Sequence, residues 1–209
     1  AFKTYQDKTG NSITYGGIGS GGGIRSLKDK IVDFGGSDAY LSDKEMSEMP
    51  ATVVHIPTCM GAVVLAYNLP GVDNLKLTGD IIADIYLGKI TKWNDAKIQE
   101  LNPGVTLPDK ELTPVYRSDG SGTTFVFSDY LTKVSNDWKE NVGTGKSLKW
   151  PAGLAAKGNP GVAGTISQTP GAIGYVGSEY AFSLNIPMAQ MKNSSGNFIT
   201  PNTESISAA

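Results

Sequence analysis

The sequence predicts an α/β fold with a largely parallel sheet, and three observations carry that reading. Short β-rich runs such as "AVVLAYN", "LTPVYR" and "GAIGYV" alternate with segments of helical spacing. Gly-rich polar turns stand where strands hand over to helices, as in "GIGSGGG", "FGGSDA" and "RSDGSGT". The chain has 209 residues, 39% hydrophobic and 18% charged, which suffices for one large domain or two small ones.

Taken in order, Ile13 to Tyr15 reads as a short strand running into glycines. The helix after it covers "GIRSLKDKI", with Ile24, Leu27 and Ile31 on one face. "VDFGG" is a strand that breaks at Gly35-Gly36, and Ser42 or Asp43 caps "DKEMSEM". "TVVHIP" and "AVVLAYN" read as buried strands. Thr78 caps "GDIIADIYLGKI", which Gly88 ends. "NDAKIQEL" is a short helix stopped by Asn102-Pro103-Gly104. "LTPVYR" is a strand and "GTTFVFSDYLTKV" the helix after it, although its β-branched and aromatic residues make local propensity a weak guide. "SNDWKENV" and "GVAGTISQT" are helices, "GAIGYV" a strand and "SEYAFSL" a helix. The polar tail "KNSSGNFITPNTESISAA" shows no recognisable closing element. The Pro/Gly break after Asn68 is the best lobe boundary, and there is no internal repeat.

Composition removes several function classes. No run approaches the about 18 uninterrupted apolar residues that a membrane-spanning helix needs; the nearest is broken by His55, Pro57, Thr58 and Gly61. The opening "AFKTYQDKTG" has no basic start or apolar core, so it is not a secretory leader, and the chain reads as cytoplasmic, processed or trimmed. One Cys and one His cannot build a disulfide or a His/Cys metal cluster. Cys59 is expected as a buried structural thiol and His55 as a strand or strand-end residue. A net charge of −2 argues against a nucleic-acid surface. An anionic ligand would have to be held by local donors.

Three glycine-bracketed turns could supply them. "GIGSGGG" precedes a helix, where unpaired amides and the helix dipole favour an anion. It contains G-x-G-x-x-G at Gly17, Gly19 and Gly22, and Asp38 lies near the distance of a ribose-binding acid. Ser20 and the extra glycines suit a bare oxyanion equally. In the second turn, Ser37 and Asp38 end a strand. A carboxylate there repels an anion unless the anion has a proton to donate, which hydrogen phosphate has and sulfate lacks. In the third, Arg117 offers a bidentate cation, Ser121, Gly122 and Thr123 occupy the first turn of a helix, and Asp119 can hold the guanidinium or cap the helix. Gly120 and Gly122 permit close approach. A serine nucleophile would need a base, and "GSG" is not the nucleophile-elbow spacing. Binding without turnover is the expectation, with no catalytic residue, metal or cofactor.

In this order, "GIGSGGGIRSLKDKIVDFGGSDAYLS", "GAVVLAYNLPG", "IADIYLGKITKWND", "RSDGSGTTFVFSDYL", "WKENVGTGKSLKWPAGLAAKGNPGVAG" and "PGAIGYV" closely resemble the phosphate-binding protein (PstS) family of bacterial phosphate ABC importers. The resemblance implies a type II periplasmic-binding-protein fold: two α/β lobes with mixed, mainly parallel sheets, closing on one inorganic phosphate. It implies phosphate ligands at Ser20, Asp38, Arg117, Ser121, Gly122 and Thr123, with Gly19, Gly21, Ser37, Asp119 and Gly120 in support. It also implies a periplasmic or otherwise extracytoplasmic protein, soluble or lipid-anchored, whose partner is an ABC phosphate permease. Gly21 stands where many members carry a second Ser. Compared with the family, the chain is expected to be truncated at both ends. A partial first lobe would span residues 1–66 and a second lobe residues 67–209. Phosphate binding by such a piece is expected to be weak, and its incomplete sheet would favour self-association. The alternatives are an adhesion or signalling protein on the same scaffold, or a phosphoryl-transfer enzyme using Ser121.

Overall fold

The computed structural model describes residues 2–208. It opens with three helices and no strand: α1 (Phe2–Thr9), α2 (Gly19–Lys28) and α3 (Asp43–Ser47). Then follow β1 (Val63–Tyr67), β2 (Lys76–Leu77), α4 (Gly79–Tyr86), α5 (Ala96–Leu101), β3 (Thr113–Arg117), α6 (Gly122–Val134) and α7 (Asn136–Asn141). The rest is β4 (Leu154–Ala156), α8 (Gly158–Gln168), β5 (Ala172–Gly177), α9 (Ser178–Ser183), β6 (Gln190–Lys192), β7 (Phe198–Ile199) and α10 (Thr203–Ser207).

Four strands form the main sheet in the order β1-β5-β3-β4. β3 runs parallel to both β4 and β5, whereas β1 is antiparallel to β5, with Leu65 opposite Tyr175. A smaller sheet, β2-β6-β7, has one parallel and one antiparallel pairing. Every residue of β5 is buried, which is why "AIGYVG" is a continuous apolar run instead of an alternating one. Its side chains still divide by pleat. Ile173 and Tyr175 join a core with Tyr86, Phe127, Leu131 and Trp138, beneath α4, α6 and α7. Ala172 and Val176 join Val162, Ala163, Ile166 and Ala181, beneath α8 and α9. Helices thus cover both faces of the sheet, and each fully buried Ile or Leu contributes about 1.5–3 kcal/mol.

Several helix starts carry the side-chain caps that their chemistry favours. Ser42 caps α3 in a reciprocal capping box with Glu45, Asp95 caps α5, and Ser135 caps α7. Thr78 stands at the N-cap of α4 with an extended backbone, but its side chain makes no capping bond.

Three expected strands are absent. Ile13 to Tyr15, "VDFGG" and "TVVHIP" are irregular, and most of their side chains face solvent, with Tyr15 69% and Ile56 75% exposed, while Ile13 and Val53 are half-buried. A strand exists through its pairing, and no strand lies before Val63 among the described residues to pair with these segments. α2 starts four residues earlier than its apolar spacing implies and ends at Lys28, leaving Ile31 outside and exposed. Cys59 is exposed, not buried. His55 is not in a strand; its Nε2 accepts the Leu41 N–H at 3.1 Å. The polar tail folds more than its composition suggests. β6 and β7 make a hairpin closed by Asn193 and Gly196, and Asn202 caps α10.

Candidate anion-binding site

Two backbone segments, about a hundred residues apart in sequence, meet where β3 hands over to α6. Arg117 is the last residue of β3 and only 6% exposed. Its Nε and Nη2 donate to the two oxygens of Asp119 at 2.7 and 2.6 Å, a side-on fork. Asp119 Oδ1 also accepts the Gly158 N–H at 2.9 Å, from the start of α8. The Arg117 hydrogen bonds hold the Asp119 carboxyl down at about 2, with the Gly158 amide helping and burial opposing.

The third terminus of the guanidinium is fixed as well, because Arg117 Nη1 donates to Asn159 Oδ1 at 3.0 Å. Behind Arg117, its backbone N–H donates to the Tyr175 hydroxyl at 3.0 Å, and that hydroxyl shares a 2.7 Å hydrogen bond with Thr124 Oγ1. The Tyr175 ring stacks on Phe127 with centroids 4.3 Å apart. Burial pushes the phenol up to about 12, so Tyr175 stays neutral and serves as a strut.

Ser121 is the N-cap of α6. Its hydroxyl accepts the Thr124 N–H at 3.1 Å, and its own N–H donates to the Lys146 carbonyl at 2.8 Å. The capping role engages one of the two lone pairs of that oxygen. No side-chain base bonds to Ser121 among the described residues, and His55 is engaged with Leu41.

The other segment comes from α2 and the turn before α3. Ser20, buried, accepts the Gly122 N–H at 3.0 Å and the Asp38 N–H at 3.4 Å. Thr123 Oγ1 donates to Asp38 Oδ2 at 3.1 Å. Gly21 N–H donates to the Gly120 carbonyl at 2.8 Å. Ser37 accepts the Ala39 N–H in a local turn and does not reach this cluster.

Glycine is required at two of these positions. Gly19 has φ of +73°, and a Cβ on it would lie 2.5 Å from Asp119 Oδ2. A Cβ on Gly122 would lie 2.5 Å from Ser20 Oγ and 2.8 Å from Asp38 N.

Of the expected residues, Ser20, Asp38, Gly122 and Thr123 are joined directly, with Arg117 held beside them through Asn159. Asn159, Tyr175, Lys146 and Glu45 were not anticipated. Only Asn159 carried a local sign, a Gly-Asn pair between a short strand and a helix that repeats the glycine-bracketed pattern of the other turns. The described residues include no group of three or more His, Cys, Asp or Glu placed to hold a metal. No described helix is long and apolar enough to cross a membrane.

The chain is 47% identical over 207 residues to the phosphate-binding protein PstS of Xylella fastidiosa, covering 98% of this chain and 56% of that relative. It is 46% identical to PstS of Pasteurella multocida, covering 98% and 60%, and 39% identical to PstS of Methanocaldococcus jannaschii, covering 94% and 54%. The chain therefore spans a little over half the length of these curated relatives. Among solved structures, a high affinity periplasmic phosphate-binding protein bound with phosphate (PfluDING) superposes with a TM-score of 0.75 at 21% identity, covering 96% of this chain and 61% of that one. An ABC-type phosphate transport receptor from Vibrio cholerae gives 0.57 at 18% identity, covering 94% and 72%. At such identities the likeness establishes the fold, the α/β architecture of type II periplasmic binding proteins. The PBP superfamily domain profile matches residues 1–209 throughout, and the chain belongs to that superfamily.

Proposed function

We propose that this chain is the phosphate-binding part of an extracytoplasmic solute-binding protein that delivers inorganic phosphate to an ABC permease. The observation that carries the proposal is the meeting of Ser20 and Asp38 with Gly122 and Thr123, beside a guanidinium already oriented by Asp119 and Asn159. The Arg117 fork spends three of its five N–H groups on protein partners, leaving one on each terminal nitrogen for an oxyanion. The Gly122 and Asp38 amides and the Ser20 and Thr123 hydroxyls now bond one another. On ligand entry they exchange those bonds for anion oxygens, each charge-assisted bond contributing roughly 1.5–3 kcal/mol net. Asp38 takes the proton of hydrogen phosphate, and sulfate, having none, is repelled.

We further propose a partial first lobe over residues 1–66 and a second over 67–209, which close on the ligand by hinge motion. On this division the boundary falls within β1 (Val63–Tyr67). Exposed apolar side chains in the first part, among them Val54, Ile56 and Met60, favour association with a second copy. The similarity of the full chain to proteins named for phosphate binding supports this reading. Ser121 serves in it as the cap of α6, with no side-chain base bonded to it among the described residues.

The test is calorimetric titration of the 209-residue chain with phosphate, sulfate and chloride. Weak, saturable binding of one phosphate per chain, lost in Arg117→Ala, is expected. Indistinguishable heats for phosphate and chloride into the millimolar range would defeat the proposal.

A further inference from the structure

Asn159 lies in the first turn of α8 and bridges Arg117 and Thr123, two residues 6 apart in sequence on either side of the β3–α6 turn. Arg117 Nη1 donates to Asn159 Oδ1 at 3.0 Å. Asn159 Nδ2 donates to Thr123 Oγ1 at 3.5 Å, the long end of hydrogen-bonding distance. Thr123 Oγ1 donates to Asp38 Oδ2 at 3.1 Å. These three bonds form one path from the guanidinium to the carboxylate.

The direction of that path follows from the groups in it. A guanidinium has donors only, so the amide must turn its oxygen to Arg117. The amide NH2 then faces Thr123. The Thr123 oxygen receives that N–H and has one proton of its own, which it gives to the acceptor across the cleft.

We infer that Asn159 is a positioning residue that fixes Thr123 as a hydrogen-bond donor and thereby sets which oxygen of the ligand must be unprotonated. An anion oxygen facing Thr123 has to accept, whereas the oxygen facing Asp38 has to donate. The same amide keeps Arg117 from rotating away from Asp119. Without Asn159 the threonine hydroxyl is free to turn and accept a ligand proton, and Asp38 alone is left to set the orientation of hydrogen phosphate. The inference rests on the phosphate reading for its ligand; the polarity of the three bonds does not depend on it.

Two measurements on the 209-residue chain separate the two ideas. In the ligand-free protein, the Asn159 side-chain amide is followed by 15N NMR. Thr123→Val is expected to move its signals and speed its exchange with water severalfold, leaving other amides alone. Unmoved Asn159 signals would overturn the inference. In the second, phosphate affinity is measured by calorimetry across a double-mutant cycle. Asn159→Ala is expected to weaken phosphate about tenfold in the native background, and less than about threefold in the Thr123→Val background. Equal losses in both backgrounds would mark Asn159 as a general structural support and overturn the inference. If Asn159→Ala does not fold, the uncharged and similarly shaped Asn159→Leu takes its place in the cycle with the same expectation. A native chain that binds no phosphate defeats the functional proposal, and the amide experiment then decides this one.

Discussion

Glu45 and Lys146 are 101 residues apart in sequence, and their charged groups meet at 2.7 Å. The same lysine accepts the Ser121 N–H at its carbonyl, so one residue ties the cap of α6 to α3 on the opposite segment. Both side chains are partly buried. Burial works to raise the Glu45 carboxyl, but hydrogen bonds from Lys146 and Ser42 outweigh it and hold the group below its ordinary range.

Lys146→Met should therefore loosen α3 without disturbing the sheet. A partly buried pair of this kind is worth about 1 kcal/mol. Hydrogen exchange of the α3 amides should accelerate severalfold while β1 and β5 keep their protection. Equal protection of α3 in both proteins would show that the pair does not fasten the two segments.

Arg117→Lys keeps the charge and loses the fork. A lysine ammonium cannot serve Asp119 side-on and Asn159 at once. Phosphate affinity should fall at least about tenfold and the unfolding free energy by about 1–3 kcal/mol. Arg25→Ala, on an exposed position of α2, should change neither. Calorimetry and urea melts on both variants check this, and comparable losses would undo the assignment of Arg117.

The Asp119 carboxyl titrates at about 2 in the folded chain, below its ordinary value of 3.8. Because the folded value is the lower one, its stabilising contribution is complete above the unfolded value and disappears as pH falls through the folded one. The contribution is roughly 2 kcal/mol, lost between about pH 4 and pH 2. Denaturant melts across that window should show the native chain losing more stability than Asp119→Asn. Parallel curves would contradict the fork's energetic role.

Asp38→Asn should weaken phosphate and relax discrimination against sulfate, since an amide can donate to an unprotonated oxygen. The ratio of the two affinities is the measurement. A ratio unchanged by the substitution would remove Asp38 as the proton acceptor.

Which of these features were legible beforehand depends on how far apart the partners lie. Ser42 was readable as a helix cap because a cap bonds an amide two or three residues away, whereas Thr78, read in the same way, makes no such bond. The fully buried "AIGYVG" and the strand ending at Arg117 announced themselves through apolar density and a following turn. Ile13–Tyr15 and "TVVHIP" have equally good strand composition, yet no partner among the described residues completes them. Composition records a preference for pairing and cannot supply the pair. Lys76–Leu77 was too short to show a period, and the β6–β7 hairpin was hidden by the polarity of its turn. In the site, Ser20, Asp38, Gly122 and Thr123 sit on turns whose glycines marked them. Asn159 and Tyr175 act on Arg117 from 42 and 58 residues away, a relation that only the folded chain displays.

Gly122 has a practical use. With its missing side-chain position already crowded by Ser20 and Asp38, a single methyl at residue 122 would act as a doorstop. If the proposed lobes close on phosphate, Gly122→Ala would be a permanently ajar version of the molecule, a zero point against which a fluorescent phosphate reporter built on this chain could be calibrated.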